Sequence, residues 1–144
     1  MPKFGKQSQE RLATCHSNIV KLMYTVVEFY DITILCGYRN EGEQELAFAN
    51  GKSKAKFGHS PHNHFSALAV DIAPYQAGVG IPLHDGQWDK DQFIFMAGIV
   101  LAKADELGID ITWGGDWNKN QLVIRDQSFN DLPHFQITNW KELI

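Results

Sequence analysis

The sequence predicts an α+β fold, a small, mainly antiparallel sheet flanked by helices, and three observations carry that prediction. Short stretches of strict alternation, "SALAVDI" at 66–72 and "HFQI" at 134–137, read as half-buried strands. Longer stretches repeat their apolar residues every three or four positions, as helices with one buried stripe do. The two kinds of segment are mixed without the strand–helix–strand rhythm of a parallel sheet.

The elements follow in order. Ser8 is positioned to cap a long first helix, with Leu12, Cys15, Ile19, Leu22, Met23, Val26 and Phe29 as its stripe. "DITILCGY" reads as a strand closed by Gly37. Asn40 and Glu43 have the spacing of a capping box, which starts a second helix ending at Asn50-Gly51. In "SALAVDI", Leu68, Val70 and Ile72 face one side, and Ala67, Ala69 and Asp71 the other. Residues 74–88 are rich in Gly and Pro and read as a loop. Asp91 to Leu107 is helical by period, with Gly108 as its stop. "IDITW" is a further strand, and "GGDW" a turn. In "HFQI", His134 and Gln136 share one face, Phe135 and Ile137 the other.

Length and composition narrow the function. A chain of 144 residues, 44% apolar and 21% charged, is expected to form one domain, 1–144, with its own core. A net charge of −4 and the lack of a basic patch argue against nucleic acid as a partner. No apolar run nears the roughly 18 residues of a membrane span, so no membrane association is expected. "MPKFGKQSQERLA" lacks the apolar core of a signal peptide, which predicts synthesis in a cytoplasm. Cys15 and Cys36 have no CxxC partner and read as two reduced thiols.

The chemistry lies in the histidines and aspartates. A catalytic zinc takes three protein ligands from imidazole and carboxylate and leaves one position open. His64 and Asp71 are seven residues apart, and Ala67 and Ala69 leave room beside the carboxylate. His134 supplies a third donor, and Asp131, three residues upstream, has the placement of a general base that does not itself bind the metal. Singly, each of these has an ordinary structural reading: a loop histidine, a strand-end carboxylate, a hydrogen-bonded histidine, a turn residue before proline. Asp85, Asp89 and Asp91 lack the spacing of a calcium loop and suit a solvated turn and a helix start. His16 and His84 have no partner pattern.

Together these stretches resemble a known family. "HNHFSALAVD" is similar to the Ser-x-His-x-x-Gly-x-Ala-x-Asp motif of the VanY-like zinc peptidases of bacterial cell walls. "WGGDW" with "NDLPHFQ" resembles the ending of their L-alanyl-D-glutamate endopeptidase branch, found in phage endolysins, and "GYRNEGEQ" resembles their Tyr-Arg-Ser-x-x-Glu-Gln segment. The likeness runs from residue 37 to 137 and implies the VanY-like, hedgehog-type zinc peptidase fold. It implies zinc ligands at His64, Asp71 and His134, a catalytic carboxylate at Asp131 and an active-site arginine at Arg39. On that alignment His62 replaces the motif serine and Ala67 the glycine. His62 is then expected to back a ligand or touch substrate, as are Gln44, Asp116 and Trp117, while His59 faces solvent. Asp116 would orient a ligand histidine, and Trp113 and Trp117 would wall the cleft.

The implied activity is hydrolysis of the L-alanyl-D-glutamate bond of the peptidoglycan stem peptide. A D-alanyl-D-alanine carboxypeptidase with the same metal centre, or a zinc-stabilised binding module without catalysis, stays open as an alternative. The expected setting is a monomeric endolysin with no separate wall-binding domain. It would be made in the host cytoplasm and act on the wall once a holin-like partner releases it.

Overall fold

The computed structural model describes residues 2–144. Four strands make one antiparallel sheet: β1 (Ile32–Cys36), β2 (Ala69–Pro74), β5 (Ile111–Gly114) and β6 (Asp131–Ile137), in the order β1-β2-β6-β5. The helices are α1 (Lys6–Leu12), α2 (Ser17–Phe29), α3 (Glu41–Ala49) and α4 (Lys90–Glu106). The mixed architecture and antiparallel pairing agree with the sequence expectation.

Alternation decides which sheet face is dry. Val70 and Ile72 of β2 and Phe135 and Ile137 of β6 enter the core, where they meet Ile19, Met23 and Val26 of α2 and Phe93, Met96 and Val100 of α4. Helix α4 packs across β2, β5 and β6 and also against α2. The polar partners of that alternation, Asp71, His134 and Gln136, are therefore delivered together to the other face. Register makes the pairing tight, because Asp71 stands directly opposite His134 across β2 and β6.

Three local expectations need correction. The first helix is two helices, broken between Ala13 and His16. The break lets this segment pair with the strand that follows the histidine loop: His16 N donates to Ala67 O at 2.8 Å, and Ala67 N donates to Thr14 O at 2.8 Å. Ser8 is consequently no cap; it is buried within α1, and its hydroxyl accepts from Ile34 N at 3.1 Å. The cap of α2 is His16, whose Nδ1 accepts from Asn18 N.

The second correction concerns residues 74–88, which hold a small hairpin of β3 (Leu83–His84) and β4 (Gln87–Trp88). Its turn at Asp85-Gly86 has both residues at positive φ, the geometry such tight turns require. The third concerns the end of the chain, where β6 begins already at Asp131, so the carboxylate is on the strand instead of in a turn before it. Phe29, the last residue of the predicted stripe, is exposed at the end of α2 instead of packing in the core. The Asn40–Glu43 capping box forms in both directions, α3 stops before Asn50-Gly51, and Gly108 follows α4 at a φ of 70°. Asp89, not Asp91, caps α4. Both cysteines are free thiols, and burial pushes the Cys15 thiol up to about 12.

Candidate metal centre and catalytic cleft

The loop before β2 places its first buried histidine by a chain of local bonds. Ser60 Oγ accepts from His62 N, and Pro61 opens a short 3-10 turn over Pro61–Asn63. Asn63 Oδ1 accepts from Gly58 N and Ser60 N, while its amide donates to Arg39 O and Gln44 Oε1. Arg39 N in turn donates to His62 O at 2.8 Å. The turn is thus clamped to the segment between β1 and α3, and His62 is only 1% exposed.

Three donor atoms converge there. His62 Nε2 lies 3.1 Å from Asp71 Oδ1 and 3.2 Å from His134 Nδ1, and His134 Nδ1 lies 3.2 Å from Asp71 Oδ1. This is a nearly equilateral triangle. A tetrahedral zinc bound at about 2.0–2.1 Å would space its donors about 3.3–3.4 Å apart. The outer nitrogens are engaged as well: His62 Nδ1–H donates to Gly37 O at 2.8 Å, and His134 Nε2–H donates to Gln136 Oε1 at 2.8 Å. With those protons placed outward, both inner nitrogens present lone pairs to the same point, an arrangement that needs a positive charge between them. Burial disfavours the charged form of His62, yet the Asp71 carboxylate outweighs it and pushes His62 up to about 10. Burial likewise opposes charge on Asp71, but His62 and His134 hold its carboxyl well below the usual range. A site that attracts a proton so strongly attracts a cation too, and His62, Asp71 and His134 can hold a metal ion.

The cleft around the triangle has a volume of about 270 Å³ and is lined by Arg39, Lys54, Trp117, Asp131 and Gln136, among others. Asp131 Oδ2 is 4.0 Å from His134 Nδ1, near the donors without joining them. Burial, reinforced by the nearby Asp71 charge, pushes Asp131 up to about 6. The carbonyl end of β5 brings it there: Gly114 pairs with Asp131, and a Cβ at 114 would run into the Asp131 backbone. Arg39 donates to Asp71 Oδ2 at 3.2 Å and to Gln44 Oε1 at 2.9 Å. Gln44 is fully buried and also donates to Ala55 O and Ser53 Oγ, so one amide ties α3, Arg39 and the 53–55 segment together. The Trp117 ring lies 5.5 Å from that of His134 and 6.3 Å from that of Phe129, nearly parallel to the latter. A larger hollow of about 570 Å³ lies between α4 and β5, and none of the three donors lines it.

Comparisons with known proteins identify the family. The sequence model of the family described as phage L-alanyl-D-glutamate peptidase matches residues 1–138. The chain belongs to that family. The L-alanyl-D-glutamate peptidase of Escherichia phage T5 is 35% identical over 119 residues, 81% of this chain and 82% of that protein. The crystal structure of the Serratia marcescens L-Ala D-Glu endopeptidase ChiX matches with a TM-score of 0.71 at 25% identity, covering 98% of this chain and 93% of that one.

Within this phage peptidase family member, the histidine that sequence spacing favoured is displaced. His64 does not join Asp71 and His134; its ring faces Trp140 at 5.9 Å, and its buried Nε2 has no hydrogen-bond partner among the described residues. His62 takes the position instead. The signal for it was the Ser60-x-His62 step, which keeps the motif's serine and histidine; nine residues, not seven, then separate His62 from Asp71. Two extra residues fit because 64–66, between the 3-10 turn and β2, form a loop rather than a strand. Asp116 is corrected as well: it accepts from Asn120 N and Gln121 N and shapes the turn after β5, with no histidine partner among the described residues. Trp113 is core, donating to Leu132 O, whereas Trp117 lines the cleft. His59 is exposed at the cleft's rim. Gln136, which alternation places on the same strand face as His134, is that histidine's hydrogen-bond partner.

Proposed function

We propose that the protein is a zinc peptidase that cleaves the L-alanyl-D-glutamate bond of the peptidoglycan stem peptide, with His62, Asp71 and His134 as the residues that would hold the metal. The triangle of donors with edges of 3.1–3.2 Å carries this reading, and the family supplies the bond. When bound, zinc supplies Lewis-acid polarisation of the scissile carbonyl and lowers the pKa of water from 15.7 to about 7.

The chain's own residues do the rest. Asp131, with its carboxyl raised to about 6, is basic enough to take a proton from the attacking water and acidic enough to return one to the leaving amine. Arg39 holds Asp71 in place and lines the cleft, where its remaining N–H groups would stabilise charge developing on the carbonyl oxygen. His62 and His134 keep their lone pairs inward because Gly37 O and Gln136 Oε1 accept their outer protons. Trp117 and Phe129 wall one side of the cleft against water. Asp131 argues for catalysis over a purely structural metal site, which would fill all four positions with protein donors.

Working on the cell wall, the protein would act as a monomer after release from the cytoplasm by a separate holin-like partner. Digestion of purified peptidoglycan, with mass spectrometry of the fragments, tests the bond. New D-glutamate amino termini are expected. Release of free D-alanine alone would replace this reading with the carboxypeptidase one.

A further inference from the structure

The chain carries a net charge of −4, yet one wall of its cleft is basic. Lys52 and Lys54 line the cavity that contains His62, His134 and Asp131, and Lys52 also lines the adjoining cavity shared by Arg39, Asp71 and Asp131. Neither lysine has a carboxylate partner among the described residues, whereas Arg39 is tied to Asp71 and Gln44. Their backbone is not loose. Gln44, fully buried, donates to Ala55 O at 2.6 Å and to Ser53 Oγ at 2.9 Å, so the amide that holds Arg39 also fixes the lysine segment. Across the cleft Lys54 Nζ lies 5.2 Å from the centre of the Phe129 ring. Lys56, two residues on, turns away and sits over Phe48.

Accepting the bond named above, the substrate has a matching group. In the stem peptide D-glutamate is joined onward through its γ-carboxyl, so its α-carboxylate stays free, on the carbon that bears the scissile nitrogen. That carboxylate must lie within a few bonds of the reacting carbonyl, on the leaving-group side. We propose that Lys52 and Lys54 bind the free α-carboxylate of the D-glutamate, and so make the enzyme select the acid over its amide, D-isoglutamine. Lysine suits the task because a flexible ammonium can follow a carboxylate that moves as the amine departs. The carboxylate replaces the Phe129 face as the partner of Lys54, exchanging a weak cation–π contact for a charge-assisted hydrogen bond.

The test compares two muramoyl tripeptides that differ only in the α-carboxylate or α-carboxamide of the second residue. The zinc-loaded parent should favour the acid in kcat/KM by roughly tenfold, the scale of one hydrogen bond to a charged group. Lys52→Met and Lys54→Met should each shrink the ratio, and the double variant should bring it near one with zinc content unchanged. Lys56→Met should leave it as it was. A parent without preference, or a double variant that keeps it, overturns the inference. Calorimetric binding of both peptides to Asp131→Asn protein reads the same preference without turnover. Failure to cleave either peptide therefore counts against the proposed reaction, and equal binding counts against the lysines.

Discussion

His62 Nε2 and His134 Nδ1 face each other at 3.2 Å from positions 72 residues apart in the chain. Each has its other nitrogen hydrogen-bonded outward, to Gly37 O and Gln136 Oε1. Two imidazole lone pairs aimed at one point beside a carboxylate repel one another unless a cation lies between them. Most of what can be tested follows from that contact.

Zinc content separates the two neighbouring histidines. His62→Ala should empty the site, while His64→Ala should bind about one zinc per chain, because His64 packs on Trp140, outside the group formed by His62, Asp71 and His134. Elemental analysis of both purified variants decides it; full occupancy in His62→Ala would falsify the assignment.

Asp131 should be separable from the metal. Asp131→Asn keeps the shape and leaves the three donors intact, so zinc stays bound while activity falls about 10²–10⁴-fold, the usual worth of general acid–base catalysis. Turnover on a stem-peptide fragment, set beside zinc content, checks this. An active, zinc-loaded Asp131→Asn enzyme would move the proton to some other group.

Gln136 should matter for affinity before it matters for rate. Gln136→Leu removes the acceptor that keeps the proton on His134 Nε2, and zinc affinity should fall about 10–100-fold, as with other partners of metal-binding histidines. Gln136→Glu keeps an acceptor and should retain the metal. Competition with a chromogenic chelator measures both, and equal affinity in the Leu variant would remove the role.

Arg39→Lys keeps the charge but loses the planar fork that spans Asp71 and Gln44. Losing one hydrogen bond to a charged group should lower kcat/KM roughly tenfold or more. Unchanged kinetics in the lysine variant would reduce Arg39 to a bystander.

Gly114→Ala tests the placement of the base through its backbone. A methyl group there collides with the Asp131 main chain, so β5 and β6 must part. Such overpacking typically costs about 1–3 kcal/mol. Thermal unfolding should show that loss, and activity should drop further than stability alone explains, because Asp131 moves with its strand. A variant matching the parent in both would show that the strands yield freely.

The sequence by itself determined whatever depends on neighbours along the chain. Alternation put Val70 and Ile72 on one face of their strand with Asp71 on the other, and Phe135 and Ile137 on one face of theirs with His134 and Gln136 on the other; the Asn40–Glu43 box started α3; and the motif segments around Arg39, Asp71 and Asp131 pointed to the family. Period-2 and period-3.6 patterns are local physics, and they survive folding wherever no distant contact overrides them. Only the tertiary structure decided between His62 and His64, two residues apart on one loop with no periodicity to rank them. The choice rests on Gly37 O, Arg39 N and the Asn63 amide, groups some 20 residues upstream or bridged to them, which clamp the Ser60–Asn63 turn so that His62 points inward. The break between α1 and α2 was hidden for the same reason: its cause is the pairing of Thr14 and His16 with Ala67, more than 50 residues away, which overrides an unbroken helical stripe.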